Sequence, residues 1–253
     1  MDYTFGATML SGYLLALGRT AGFILLAPPF NTRAFPTQAR AGLAFALAIP
    51  LSVWTTPTAP TLGSNDMIGK LLLQVLMGVT LGFFVQLAVA AIQTVGDLID
   101  VAGGFSISIG NDPLLLVQSS VMGRLHQLTA VTLLFVGDGH LIILQGLSRS
   151  LQLRPDPIVD LPTTAAAVTD GVSAMFLAAV QITAPILAAL LIADVALGLL
   201  TRAAPALNAF ALAFPLKILL SLLLIGLILT QIPGALNRLV DEAADTMIRL
   251  SGG

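Results

Sequence analysis

The chain has 253 residues, 57% of them hydrophobic and only 9% charged, with a formal net charge of −2. An ordinary soluble domain carries about 25% charged residues, so these few charges, with a mean hydropathy of +0.96, exclude a soluble globular fold and fit a chain solvated by lipid. A pI near 5.5 provides no basic surface for nucleic acid, and the absence of cysteine excludes disulfides and thiolate metal sites.

The opening Met1-Asp2-Tyr3 lacks the positive region of a cleaved signal peptide, so the first hydrophobic segment is expected to be retained as its own insertion signal. A bilayer core about 30 Å thick needs about 20 apolar residues as helix. Met9 to Pro28 meets that need, interrupted by Arg19 and stopped by Pro28-Pro29. A polar link from Asn31 to Gln38 precedes a shorter segment, Ala41 to Trp54, and a loop rich in Thr and Pro. Ile68 to Val95 is a long segment, followed by an unusual stretch, Gly96 to Ser120, rich in Gly, Ser and Asp. Val121 to Leu147 reads as one apolar segment and Ser148 to Pro162 as a second hydrophilic link. Thr163 to Thr201 is too long for a single crossing and is expected to break, to kink at Pro185 or to project from the membrane. Leu207 to Ile232 is closed by Pro233-Gly234, and the tail Ala235 to Leu250 has the spacing of a separate short amphipathic helix. The pattern predicts an all-α polytopic membrane protein of five to six long hydrophobic helices or hairpins. The distribution of Arg and Lys does not fix its orientation.

Within these segments, two GxxxG patterns, Gly18 to Gly22 and Gly78 to Gly82, offer small-residue faces for close helix packing. Charges in apolar helices are costly and are by default functional or paired. Asp97, Asp100, Asp138 and Asp194 can be read as an ion relay or as buried pairs and contacts with partner subunits, and the second reading is favoured because no two acids share one apolar helix centre. His126 and His140 do not have helical metal spacing, and no strand-turn-helix elbow supports a nucleophilic triad. Neither a metal nor a cofactor is expected, and no enzymatic constellation is found. The most informative stretch is Gly103-Gly104-Phe105-Ser106-Ile107-Ser108-Ile109-Gly110-Asn111, continuing to Asp112-Pro113. It is too polar for a spanning helix and too apolar for a solvated linker. Irregular backbone at membrane depth is tolerated where it is buried in protein or lines a cavity, so the segment is expected to point inward, as a gate or plug, with a plain surface loop as the alternative.

The run Arg202-Ala-Ala-Pro205-Ala-Leu-Asn208-Ala-Phe210-Ala-Leu-Ala-Phe214-Pro215-Leu-Lys217 resembles the signature of the R subunit of the flagellar export gate (FliR, with SctT its injectisome counterpart). Ala206, Ala209 and Ala213 depart from the usual Gln, Val and Gly of that pattern. Three further blocks agree in family order: Pro28 through Arg40, Gly96-Asp97 through Asp112-Pro113, and Asp138-Gly139-His140. The resemblance implies a core subunit of the flagellar type III protein export gate, in the bacterial inner membrane at the basal body. It implies assembly with FliP and FliQ, with FlhB and FlhA nearby, in a channel for unfolded exported proteins. It also implies two parts, a P-like 1–162 including the 96–120 stretch and a Q-like hairpin 163–253. Arg202, Pro205, Asn208, Phe210, Phe214, Pro215 and Lys217 would form the hairpin signature, and Gly78, Gly82, Asp97, Asp100, Asp138 and Asp194 the subunit-packing set. An injectisome subunit is the nearer alternative. A small-solute transporter is the more distant one, since no paired breaks in two similar halves are found.

Overall fold

The computed structural model describes residues 2–32, 35–105, 120–156, 160–204 and 209–252, and every regular element among them is helical. The helices are α1 (Asp2–Leu26), α2 (Thr37–Thr55), α3 (Asn65–Gly103), α4 (Val121–Val136), α5 (Gly139–Leu153), α6 (Leu161–Ala203) and α7 (Ala209–Leu250), with a 3-10 turn at Thr56–Thr58. Five are long and apolar enough to cross a membrane, and α4 with α5 makes a sixth if the pair, bent by 73°, is one span. The all-α polytopic expectation holds.

Local chemistry explains the first boundaries. α1 stops ahead of the cis Pro28-Pro29 pair. The Asn31 amide donates to the Leu26 carbonyl (2.7 Å) and to Gln86 Oε1 (3.0 Å), satisfying a carbonyl that the end of the helix leaves without a partner. Arg40 closes the following link through the carbonyls of Thr32 (2.6 Å) and Phe35 (3.1 Å).

Other boundaries differ from expectation. Gly96 to Gly103 is not irregular but forms the last turns of α3. The expected single segment Val121 to Leu147 is broken between α4 and α5, because Asp138 adopts a left-handed φ of 56°, a conformation the short Asp side chain tolerates. Helix α5 then runs to Leu153, absorbing the start of the expected link. α6 is unbroken through Pro185, and its 43 residues span roughly 64 Å at about 1.5 Å per residue. α7 passes through Pro215 and Pro233, so the tail is its continuation and not a separate helix. A mid-helix proline removes one backbone donor; burial of Ile232, Ala235, Leu236, Val240 and Met247 along the same helix outweighs that local loss.

The chain forms two compact units. The first comprises 1–88, 134–172 and 237–253, the second 89–133 and 173–236. In the first unit the two GxxxG patterns face each other. A Cβ at Gly18 would meet Leu71 and Gln74, at Gly22 the carbonyl of Val75, at Gly78 the carbonyl of Arg19, and at Gly82 the carbonyl of Phe23. These glycines bring the backbones of α1 and α3 into contact. α2 adds to α1 through Thr55 Oγ1, which donates to the Gly12 carbonyl (2.6 Å), and Thr20 Oγ1, which donates to the Ala44 carbonyl (3.2 Å). The end of α7 lays Ala244 and Met247 over Gly146 of α5 while Asp241, Glu242 and Asp245 stay exposed.

Candidate functional site

The second unit holds the residues that flank the gate-like stretch. α3 ends at Gly103, and Gly104 follows with φ +81°, the left-handed position that favours glycine just past a helix end. A Cβ at Gly104 would also stand 3.1 Å from the Phe214 ring, so conformation and space both require glycine here. At Gly103 the nearest atom to such a Cβ is Ser221 Oγ, at 2.7 Å. Phe214 and Ser221 both belong to α7. The root of the stretch therefore rests on α7.

The chain re-enters at Ser120, the residue preceding α4. Ser120 Oγ accepts from the Gly123 N–H (2.7 Å), the usual satisfaction of a first-turn donor. Asp100 of α3, 1% exposed, accepts from the Val121 N–H (3.0 Å). A carboxylate at a helix N-terminus also meets the positive end of the helix dipole. Gly96 and Gly123 allow α3 and α4 to touch: a Cβ at Gly96 would strike the Met122 carbonyl, and one at Gly123 the Asp97 carboxylate. Departure at Gly104 and return at Ser120 are thus fixed to the same last turns of α3.

In the hairpin, Lys217 Nζ of α7 pairs with Asp194 Oδ1 of α6 at 2.7 Å, Lys217 being largely covered and Asp194 about half exposed (19% and 47% of their side chains). The pair joins a residue expected in the hairpin signature to one expected in subunit packing. Pro215 lies within α7 and Arg202 in the exposed last turn of α6. Pro205 and Asn208 lie outside the described residues, as do Ser106, Ile107, Ser108, Ile109, Gly110 and Asn111; for Phe210 only the helical backbone of α7 is described. Asp138 is exposed in the α4–α5 turn, where His140 Nδ1 lies 3.4 Å from the Leu134 carbonyl. His126 is fully buried against the Met122 carbonyl (2.8 Å). Among the described residues no cluster of His, Cys, Asp or Glu could hold a metal ion.

Sequence reading gave no role to Arg19 in the first unit, the most deeply buried charge among the described residues, which is 0% exposed. Its guanidinium donates to Gln74 Oε1 (2.6 Å) and to the carbonyls of Ser150 (2.8 Å) and Arg154 (2.9 Å). Gln74 Nε2 in turn donates to the Pro155 carbonyl (2.7 Å). These carbonyls belong to the C-terminal end of α5 and the residues just beyond, so the negative end of the helix dipole compensates the cation. Lys70 fastens the same link through Asp156 (2.9 Å). A lone arginine inside an apolar segment is the signal that marks it.

Helices of this length and polarity, packed by glycine faces and carrying internal charges, define a polytopic α-helical membrane protein. The chain belongs to the bacterial export proteins, family 1, whose profile it matches over residues 10–243. It is 31% identical to the flagellar biosynthetic protein FliR of Pectobacterium carotovorum subsp. carotovorum, across 90% of this chain and 88% of that protein. Identity to the FliR protein of Bacillus subtilis (strain 168) is 30%, across 94% and 93%. The Yop proteins translocation protein T of Yersinia pestis is 30% identical over 63% of this chain and 61% of its own.

Proposed function

We propose that the chain is a core subunit of the flagellar type III protein export gate in the bacterial inner membrane at the basal body. It assembles there with FliP and FliQ, beside FlhB and FlhA, around the path of unfolded flagellar proteins, and acts by enclosing that path and not as an enzyme. The carrying observation is the family match over residues 10–243, with flagellar relatives that cover 90% or more of the chain. The injectisome reading is second, because the translocation protein T similarity reaches only 63% of the chain. In the same reading 1–162 is the P-like part and 163–253 the Q-like hairpin.

The 103–111 stretch is the gate of this subunit. Supporting that role, its root at Gly103–Phe105 is seated on α7 and the return at Ser120 is fastened to α3. Packed apolar side chains can hold a conduit closed to ions. Deleting Ser106 to Ile109 is expected to leave assembly with FliP and FliQ intact while raising conductance to small ions and slowing growth on overproduction. Phe105→Ala should give a weaker leak of the same kind. Planar-bilayer conductance of the purified complex decides it; an assembled deletion complex as ion-tight as the parent rules the gate role out.

A further inference from the structure

Around the Lys217–Asp194 pair the exposed residues of α6 and α7 are largely aliphatic: Leu191, Ile192 and Val195 on one helix, Leu219, Leu222 and Leu223 on the other. Apolar attraction is non-directional, so leucine-rich helices in contact have no strong preference for one register over the next. A polar pair does, because slipping it leaves charge unpaired. Lys217–Asp194 is such a pair, and its place on α7 is specific. Phe214, Lys217 and Ser221 fall on one stripe of the helix, three and four residues apart. The residues on either side of Lys217 along that stripe are the two that touch Gly104 and Gly103. A slip of α7 by one turn, about 5.4 Å, brings Lys217 to the place of Ser221, putting its ammonium in a fully buried position against Gly103. The ion pair and the α3 turn thus specify one register together.

We infer that Lys217 and Asp194 are a positioning pair: by fixing α7 against α6, their ion pair holds Phe214 and Ser221 under the Gly103–Phe105 turn. The functional side of this inference rests on the export-gate reading; the packing side does not. Because the chain has no cysteine, Gly103→Cys with Ser221→Cys gives a clean cross-linking pair within it. In the assembled complex, Lys217→Met or Asp194→Asn should lower the 103–221 cross-link by about tenfold, the ratio that about 1.4 kcal/mol of lost coupling produces. Each should lower flagellar protein export in parallel. Asp194→Glu, which keeps the charge, should retain most of the cross-link, and exchanging the two charges (Lys217→Asp with Asp194→Lys) should recover it. Unchanged cross-linking in the single variants overturns the positioning pair, as does failure of both the conservative variant and the exchange to recover it. Lost cross-linking with normal export leaves the pair standing and removes this turn from the export path.

Discussion

Gly78→Leu should abolish motility and prevent recovery of the chain with its partners. A side chain at this position begins on the carbonyl oxygen of Arg19 and stands 2.9 Å from the backbone nitrogen of Phe23. Both obstacles are main chain of α1, so relief requires separating the helices and not turning a side chain aside. Overpacking a well-packed core costs about 1–3 kcal/mol and occasionally more, and contact with backbone places Gly78 at the upper end. The separation would spread, since Gly18, Gly22 and Gly82 use the same interface. Gly69→Ala is the control: on the same helix, its Cβ would meet nothing within 4 Å, and it should behave as the parent chain. Soft-agar motility and the yield of the detergent-purified complex are the readouts. Parental yield and swarming from Gly78→Leu would refute the packing assignment.

Removing the Arg19 guanidinium should be as damaging by a different route. Arg19→Met keeps apolar bulk but leaves Gln74 Oε1 and the Arg154 carbonyl without the donor that serves them, while the Ser150 carbonyl keeps only the Arg154 N–H. A buried polar group left unsatisfied costs about 1–3 kcal/mol, so two acceptors losing their donor place the total at about 2–6 kcal/mol. Arg19→Lys should fall between parent and Arg19→Met, because a compact ammonium cannot reach in three directions as the planar guanidinium does. Thermal midpoints of the purified protein give the ranking. Equal midpoints for Arg19→Met and the parent would exclude a stabilising clamp.

The sequence foretold this fold best where the physics is local. Pro28-Pro29 ends α1 wherever the rest of the chain lies, and the spacing of Leu236, Val240, Ala243 and Met247 marks a buried helical face without reference to what covers it. Gly78 and Gly82 were legible as close-contact residues, but the motif cannot name its counterpart; expected against other subunits, they lie against α1 of this chain. What escaped depends on tertiary compensation. Helix α3 continues through Gly96 to its end at Gly103, and both glycines are contact points, with Met122 and with Ser221, and not points of looseness. Pro233 reads as a terminator in isolation, yet α7 continues because residues on both sides are buried. Asp194 was legible as one member of a pair, but its partner was not, since Lys217 stands on another helix. For the stretch from Ser106 to Asn111, sequence pattern remains the ground of the proposal.

The partners of Arg19 are also an order of events during synthesis. Gln74 follows it by 55 residues, Ser150 by 131 and Arg154 by 135. At about 5–20 residues per second, α1 waits roughly 7–26 s for the end of α5 to be translated. Through that interval the nascent N-terminal helix carries a charge that its eventual neighbours have not yet covered, and any truncation ahead of Ser150 makes that condition permanent. Arg19 thereby distinguishes a chain extended past the end of α5 from a shorter one.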